Sequence, residues 1–457
     1  MGTERVRTHR FLDCRLAGLL ACLAAFVSGH LSLARIIPAV AGLPQWALEV
    51  RSPLLAGAVL AGIVSLFQES ARPRKRSWAL LLPALYGGFT LAYVFLPFPL
   101  VRTSADLIAG IVSLALFVWL YDPRYRNAVA AAFISLSSLL ILVSLVRMGE
   151  GGRLQFAGSP ITLVRIAAVS MFLLLYQAKG WLRLALLALH GLALVASVQL
   201  TAFMAVALAG LAAPLIFIGR TLSPRLIIAN LVALALGCAA GGILTFNDIS
   251  SKVAFRLKQD EQVTVAAAHN GPVAARDGAF PGGLVESTVL RDGRPTTVRL
   301  PDFERDTRVC IDDRSDRIKL FATALALDGQ APDEWGWGDQ AFVMPLTRFG
   351  EVAIHKQPHN ILLDVLVTRG PWFLAVFLFI IYVVALQGMI AVHRVPTTAP
   401  FLIAAAFILL AAQWSGDYFD FRWFFLLTFP AVAAGFPAAT SLHDAASTPT
   451  SESRGRR

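Results

Sequence analysis

The sequence predicts an all-α polytopic membrane protein with about twelve transmembrane helices and one large external loop between the ninth and tenth. Three observations predict it. Of the 457 residues, 56% are hydrophobic and 15% charged, against about 25% charged in an ordinary soluble domain. Apolar runs long enough to cross about 30 Å of hydrocarbon as helix recur along most of the chain. One long polar stretch, 247–360, interrupts them.

The runs fall at 14–34, 52–68, 78–97, 104–121, 127–147, 160–177, 180–198, 200–218, 226–246, 361–391, 398–414 and 421–438. They define a bundle over 1–246, the polar segment 247–360, a second bundle over 361–438, and a polar tail over 439–457. The first run follows a basic start but lacks a small-x-small cleavage site ahead of a polar region, so it reads as a retained span. RIIPAVAGLPQWALEV (35–50) reads as an interfacial or re-entrant piece. The tenth run is overlong and is expected to begin as an external helix before entering the bilayer.

Orientation follows from the basic residues, which gather on cytoplasmic connections. Arg72, Arg74, Lys75, Arg76, Lys179, Arg183 and the tail Arg454, Arg456 and Arg457 fall on one side; Arg35, Arg51, Arg102, Arg147, Arg153 and Arg422 are the sparser set on the other. Both termini are therefore expected inside. The net charge of +11 is a topology signal and does not call for nucleic acid as a partner.

The polar segment carries 17 of the 29 acidic residues and 14 basic ones, so it is nearly neutral. ISSKVAFRLKQ at its start reads as helix, and TVLRDGRPTTVRL as a β-hairpin with Asp-Gly at the turn. DDRSDRIKLFATALALDG reads as an amphipathic helix with Ile318, Phe321 and Leu325 on one face, capped by Asp312, Asp313 or Ser315 and ended at Gly329. Cys14, Cys22 and Cys238 lie in or beside spans and Cys310 stands apart, so neither a disulfide nor a Cys/His metal cluster is expected. His355 and His359 are four apart but lack the glutamate of an H-E-x-x-H site. No metal and no cofactor are called for.

Chemistry-bearing residues collect where the polar segment meets the tenth run, in HKQPHNILLDVLVTRG (355–370). Upstream, in order, stand the Arg-led helix SDRIKLFATAL (315–325), the Gly-aromatic turn WGWGDQAF (335–342), then His359-Asn360 and, eleven positions past the histidine, Gly370. Further back, GRLQFAGSPITLVR (152–165) sets Arg153 and Arg165 around Ser159-Pro160. That ordered set resembles the O-antigen ligase and O-antigen polymerase superfamily of bacterial envelope glycosyltransferases. The likeness runs over roughly 150–430. It departs at Gln199-Leu200, where the family has Ser-Arg, and at Phe373, where it has a second Gly.

The resemblance implies a metal-independent glycosyltransferase of the bacterial inner membrane. It would move a glycan from an undecaprenyl diphosphate carrier to an acceptor hydroxyl on an envelope lipid or glycan, at the outer face. Such transfer needs a base for the hydroxyl and fixed positive charge for the departing diphosphate. His359 is the candidate base, since imidazole titrates near neutrality; the structural alternative is a helix-entrance histidine ahead of Asn360 as N-cap. Arg317 is the first candidate for the diphosphate and Arg314 its near neighbour, because guanidinium stays charged and offers paired donors. Arg153 and Arg165 are secondary candidates, Arg165 as a charge inside a span or as a side chain snorkelling to the interface. Asn360 and His355 complete the expected substrate contacts. Arg348 and Arg369 are lesser candidates facing lipid headgroups. Trp335 and Trp337 are candidates for sugar stacking or interfacial anchoring. Asp417, Asp420 and Arg422 read as an ion-paired plug. A single large loop favours a ligase over a repeat polymerase. The competing class is a non-enzymatic lipid-glycan transporter, against which stand the lack of an internal repeat and the size of the loop.

Overall fold

The computed structural model describes residues 14–27, 51–69, 112, 115–117, 119–122, 125–146, 148, 154, 160–177, 180–199, 204, 207, 224–247, 249–250, 284–291, 294–301, 313–331, 334–338, 342, 344–348, 351–355, 358–415 and 421–434. The elements are α1 (Cys14–Val27), α2 (Arg51–Glu69), α3 (Arg126–Val146), α4 (Pro160–Gln177), α5 (Trp181–Ala196) and α6 (Pro224–Leu244). Then follow β1 (Leu284–Arg291), β2 (Arg294–Pro301), α7 (Asp313–Asp328), β3 (Met344–Arg348) and β4 (Glu351–His355). α8 (Ile361–Arg394), α9 (Ala399–Ser415) and α10 (Phe421–Ala434) are the last elements among the described residues. Among the described residues four stretches are long and apolar enough to cross a membrane: Arg126–Val146, Ile227–Leu244, Ile361–Arg394 and Pro396–Gln413. With the shorter apolar helices they make this a helical membrane protein. Of the expected runs, 78–97 lies outside the described residues, and 104–121 and 200–218 are described at only a few positions. The segments 35–50 and 251–261 also lie outside them.

Contacts between helices define two ends of the bundle. Arg15 at the start of α1 donates to the carbonyls of Trp119 and Leu120 at 2.9 and 2.8 Å, just before α3 begins. Tyr121 meets Phe429 of α10 edge-on, with ring centroids 5.3 Å apart. At the opposite end, the amide of Leu154, ahead of α4, donates to the carbonyl of Ala196 at the end of α5 at 2.7 Å. The same end holds the start of α8, where Asn360 Nδ2 donates to the carbonyl of Gln413, near the end of α9, at 3.2 Å.

Two devices hold the interior. α5 and α6 touch backbone to backbone: a Cβ on Gly237 would overlap the carbonyl of Ala188, and one on Gly191 would lie 2.7 Å from that of Leu234. Small residues permit such approach where lipid removes the hydrophobic drive between helices. α3 and α5 are joined by a buried polar contact, Ser137 Oγ to His190 Nε2 at 3.0 Å. His190 Nδ1 lies 2.7 Å from the Leu186 carbonyl, so it carries the proton and Nε2 accepts from the serine hydroxyl.

The polar segment contains two antiparallel hairpins and a helix. Arg291 pairs with Arg294, so Asp292 and Gly293 are the two connecting residues, as the sequence predicts; the pairing also extends back to Leu284 opposite Pro301. α7 runs over 313–328 and closes with the Gly329 amide on the Leu325 carbonyl at 3.0 Å. Its buried face differs from the expected one. Leu320, Thr323, Ala324 and Leu327 are buried, Phe321 is half-buried, and Leu325 is 55% exposed. The face is set by what covers it: Val289 and Val298 of the hairpin, Trp337, Phe342 and Val367. Placing Ile318, Phe321 and Leu325 together overlooked the small residues Thr323 and Ala324, which let α7 lie close to its neighbours.

α8 is one helix by length and two by geometry. It breaks at Gly370, with φ 79° and ψ 172°, followed by Pro371. Pro371 to Arg394 alone rises about 36 Å, whereas α9 from Ala399 to Gln413 rises only about 21 Å. The two meet at their other ends through the short turn Pro396–Thr398. Had Ile361–Arg369 continued the axis, Asn360 would stand about 30 Å beyond Gln413; it hydrogen-bonds to Gln413 instead. The first segment therefore bends back over the end of α9.

Candidate active site

The half-helix Ile361–Arg369 is built by its cap. Asn360 is extended (φ −139°, ψ 120°) and its Oδ1 accepts from the amides of Leu362 and Leu363 at 3.0 and 3.1 Å. A cap of this type is worth about 1 kcal/mol. Its Nδ2 is spent on Gln413, so the one side chain both starts the half-helix and ties it to α9. The structural alternative of Asn360 as an N-cap is the one observed, and the side chain expected to contact substrate is instead engaged by the protein's own backbone.

His359 precedes the cap. Its φ of 56° puts it in the left-handed region, where non-glycine residues are uncommon and strained. Buried Pro358 stands before it, and His359 itself is half-buried. The fold thus presents the imidazole at the mouth of the half-helix on a backbone shape that histidine adopts at a cost.

Two buried cations belong to this region. Arg165 sits in α4 between Val164 and Ile166, 8% exposed, five residues past the helix start at the Leu154–Ala196 end of the bundle. It is interior and does not snorkel. Arg369 closes the half-helix at 2% exposure, among the largest fully buried side chains described. That corrects its expected place among lipid headgroups. Asp364, at 7% exposure, lies on the same half-helix, with its own carbonyl accepting from Thr368 Oγ1 at 2.6 Å. Sequence reasoning passed over Asp364. The signal was present in a charge set inside an apolar run, which marks function by default.

The remaining candidates divide by what is described. Arg314 and Arg317 lie in the first turns of α7 and His355 on β4 opposite Met344; their side chains lie outside the described residues. Arg153 also lies outside, although its neighbour Leu154 is buried and pinned to α5. So do the side chains of Arg348 and Arg422, and the residues Asp417 and Asp420. The tryptophans separate. Trp337 is buried and its Nε1 donates to the Leu327 carbonyl at 2.7 Å, so it is core and does not stack on sugar. Trp335 is 43% exposed. Phe373, where the resembled family has a second glycine, is buried in the bundle core.

The Glu334–Gly338 turn lies against the end of the half-helix. The amide of Trp337 donates to the Val367 carbonyl at 2.8 Å and that of Gly338 to the Thr368 carbonyl at 2.9 Å. Trp372 Nε1 donates to Glu334. No group of three or more His, Cys, Asp or Glu placed to hold a metal ion occurs among the described residues. The half-helix thus carries a half-buried histidine at its entrance and a buried carboxyl and guanidinium group along it, and α4 carries a second buried guanidinium. No protein-family model, curated protein or solved structure matches this chain.

Proposed function

We propose that this protein is an O-antigen ligase-like glycosyltransferase of the bacterial inner membrane, with twelve spans and both termini cytoplasmic. It transfers a glycan from undecaprenyl diphosphate to an acceptor hydroxyl at the outer face. The observation that carries the reading is His359, held left-handed and half-exposed directly ahead of the Asn360 cap, in an ordered motif set resembling that family. Two buried arginines, Arg165 on α4 and Arg369 at the end of the half-helix, supply positive charge of the kind a diphosphate leaving group requires.

In this mechanism His359 removes the proton from the acceptor hydroxyl as the oxygen attacks the anomeric carbon. The bond from that carbon to the phosphate oxygen breaks, and its electron pair leaves on undecaprenyl diphosphate. Arg165, Arg369 and the α7 residues Arg314 and Arg317 are the groups that offset the charge developing there. The donor is already activated, so no nucleotide takes part.

The test compares His359→Asn with His359→Ala in cells, with membrane insertion checked. Asparagine tolerates the left-handed backbone and removes the base. Both variants are expected to lose mature envelope glycan while long glycan accumulates on its lipid carrier, a loss of about a hundredfold or more. Accumulation of single repeats identifies a polymerase instead. Unchanged pools with His359→Asn assign His359 a structural role and favour transport.

A further inference from the structure

We propose that the Glu334–Gly338 turn is a clamp that positions the half-helix Ile361–Arg369, and that Gly336 and Trp337 are positioning residues for His359. The catalytic consequence rests on the glycosyl-transfer reading; the mechanical one does not.

The half-helix has nine residues, fewer than the roughly 12–15 that an isolated helix needs to be marginally stable in water. It is therefore held by its ends. The start is held by Asn360. At the finish, the Val367 and Thr368 carbonyls would, in an unbroken helix, accept from residues 371 and 372. Pro371 has no N–H, and Gly370 turns the chain out of the helix. The amides of Trp337 and Gly338 take both places. The half-helix is thus completed by a segment more than twenty residues earlier in the chain.

The clamp has no slack. Gly336 has φ 76°, and a Cβ there would lie 2.6 Å from the Gly370 nitrogen, 2.7 Å from the Val367 oxygen and 2.9 Å from the Arg369 nitrogen. Its other side is anchored by the Trp337 ring, buried with Leu320, Ala324, Leu327 and Phe342, and by the indole bond to the Leu327 carbonyl. α7, which carries Arg314 and Arg317, is in this way bolted to the segment that carries His359. Geometry across that joint fixes where the base stands relative to α7, and an error of about 1 Å at a reacting group costs on the order of a hundredfold in rate.

The experiment uses the full-length protein in lipid nanodiscs, comparing wild type, Gly336→Ala and Trp337→Phe by hydrogen exchange. Gly336→Ala is expected to speed exchange over 361–369 by about tenfold or more, leaving 371–394 and α4 unchanged. Trp337→Phe keeps both main-chain bonds and most of the ring contact, so its effect is smaller. In proteoliposomes given undecaprenyl diphosphate-linked glycan and an envelope-lipid extract as acceptor, Gly336→Ala lowers kcat by about ten- to a hundredfold, with KM for the donor within about twofold. Unchanged exchange over 361–369, or equal loosening throughout the bundle, overturns the clamp. Faster local exchange with undiminished transfer upholds the mechanical clamp and overturns Gly336 as a positioning residue for His359. No transfer by wild type under these conditions overturns the glycosyl-transfer reading while leaving the mechanical clamp to the exchange result.

Discussion

Between α5 and α6, two regular helices approach until a methyl group on Gly237 would overlap the carbonyl of Ala188. At the break in α8, Gly370 stands as close to the carbonyl of Glu334, but there the helix has stopped and φ is 79°. In the first region glycine lets regular helices meet without disturbing their own hydrogen bonds. In the second it ends those bonds and hands two carbonyls to another part of the chain. The first arrangement is a scaffold that any two small-faced helices can form. The second joins two distant segments in one geometry, and the candidate base sits ten residues from the second segment's last helical position. Absence of a side chain is the shared cause; the backbone angle decides whether the outcome is packing or a joint.

Substitutions at the two glycines separate these roles. Gly237→Ala should have the largest effect on stability, about 3 kcal/mol, because backbone opposes the new methyl group and no flexible side chain can yield. Denaturant titration in micelles should register it as a loss of the whole bundle. Gly370→Ala meets the Glu334 carbonyl as closely and also strains φ, so it should cost about 2–3 kcal/mol, but at the joint alone. Exchange protection should fall over 335–338 and 361–369 while the cooperative melt of α5 and α6 stays in place. If both variants lower the same global transition equally, the distinction between scaffold and joint is lost.

Ser137→Ala sharpens the scaffold side. It removes the hydroxyl that donates to His190 in a setting where such contacts average below 1 kcal/mol. A loss of about 1 kcal/mol in the bundle transition is expected, with no change in protection at the joint.

The smallest effect belongs to Asp328 at the end of α7. Burial raises its carboxyl above the ordinary value of 3.8. The folded state therefore holds the proton more tightly than the unfolded one. The group's contribution is fully present below pH 3.8 and is lost as pH rises through its raised folded value. Asp328→Asn should slightly increase exchange protection over Leu320–Leu327 at neutral pH, and the difference should vanish in acid. A variant less protected than wild type at neutral pH would mean that the carboxylate is a net stabilising partner of the α7 cluster.

Much of this was legible from pattern. Apolar runs marked the helices that the structure describes, to within a few residues for α3, α4 and α6. Asp-Gly between two alternating stretches marked the hairpin, since that dipeptide accepts the backbone angles a tight turn requires. Capping by Asn360 was legible as the alternative to a substrate contact, because a short polar side chain ahead of an apolar run can accept from the first free amides. These are short-range properties, decided within a turn of helix or a pair of strands.

The burial of Arg369, the core position of Trp337 and the true inner face of α7 were not legible. Each depends on which distant surface arrives. Leu325 has the same hydrophobicity as Leu327, and only the arrival of the hairpin and of Val367 distinguishes them. Gly370 followed by Pro371 is a pair at which a helix can stop, yet spacing alone does not record that Trp337 and Gly338 supply the missing amides. Composition and periodicity are enough to establish a helical membrane chain and where its elements begin, because bilayer thickness and backbone hydrogen bonding leave few other solutions. The bend of the half-helix and its clamp required the assembled structure, because they are contacts between segments that no local spacing records.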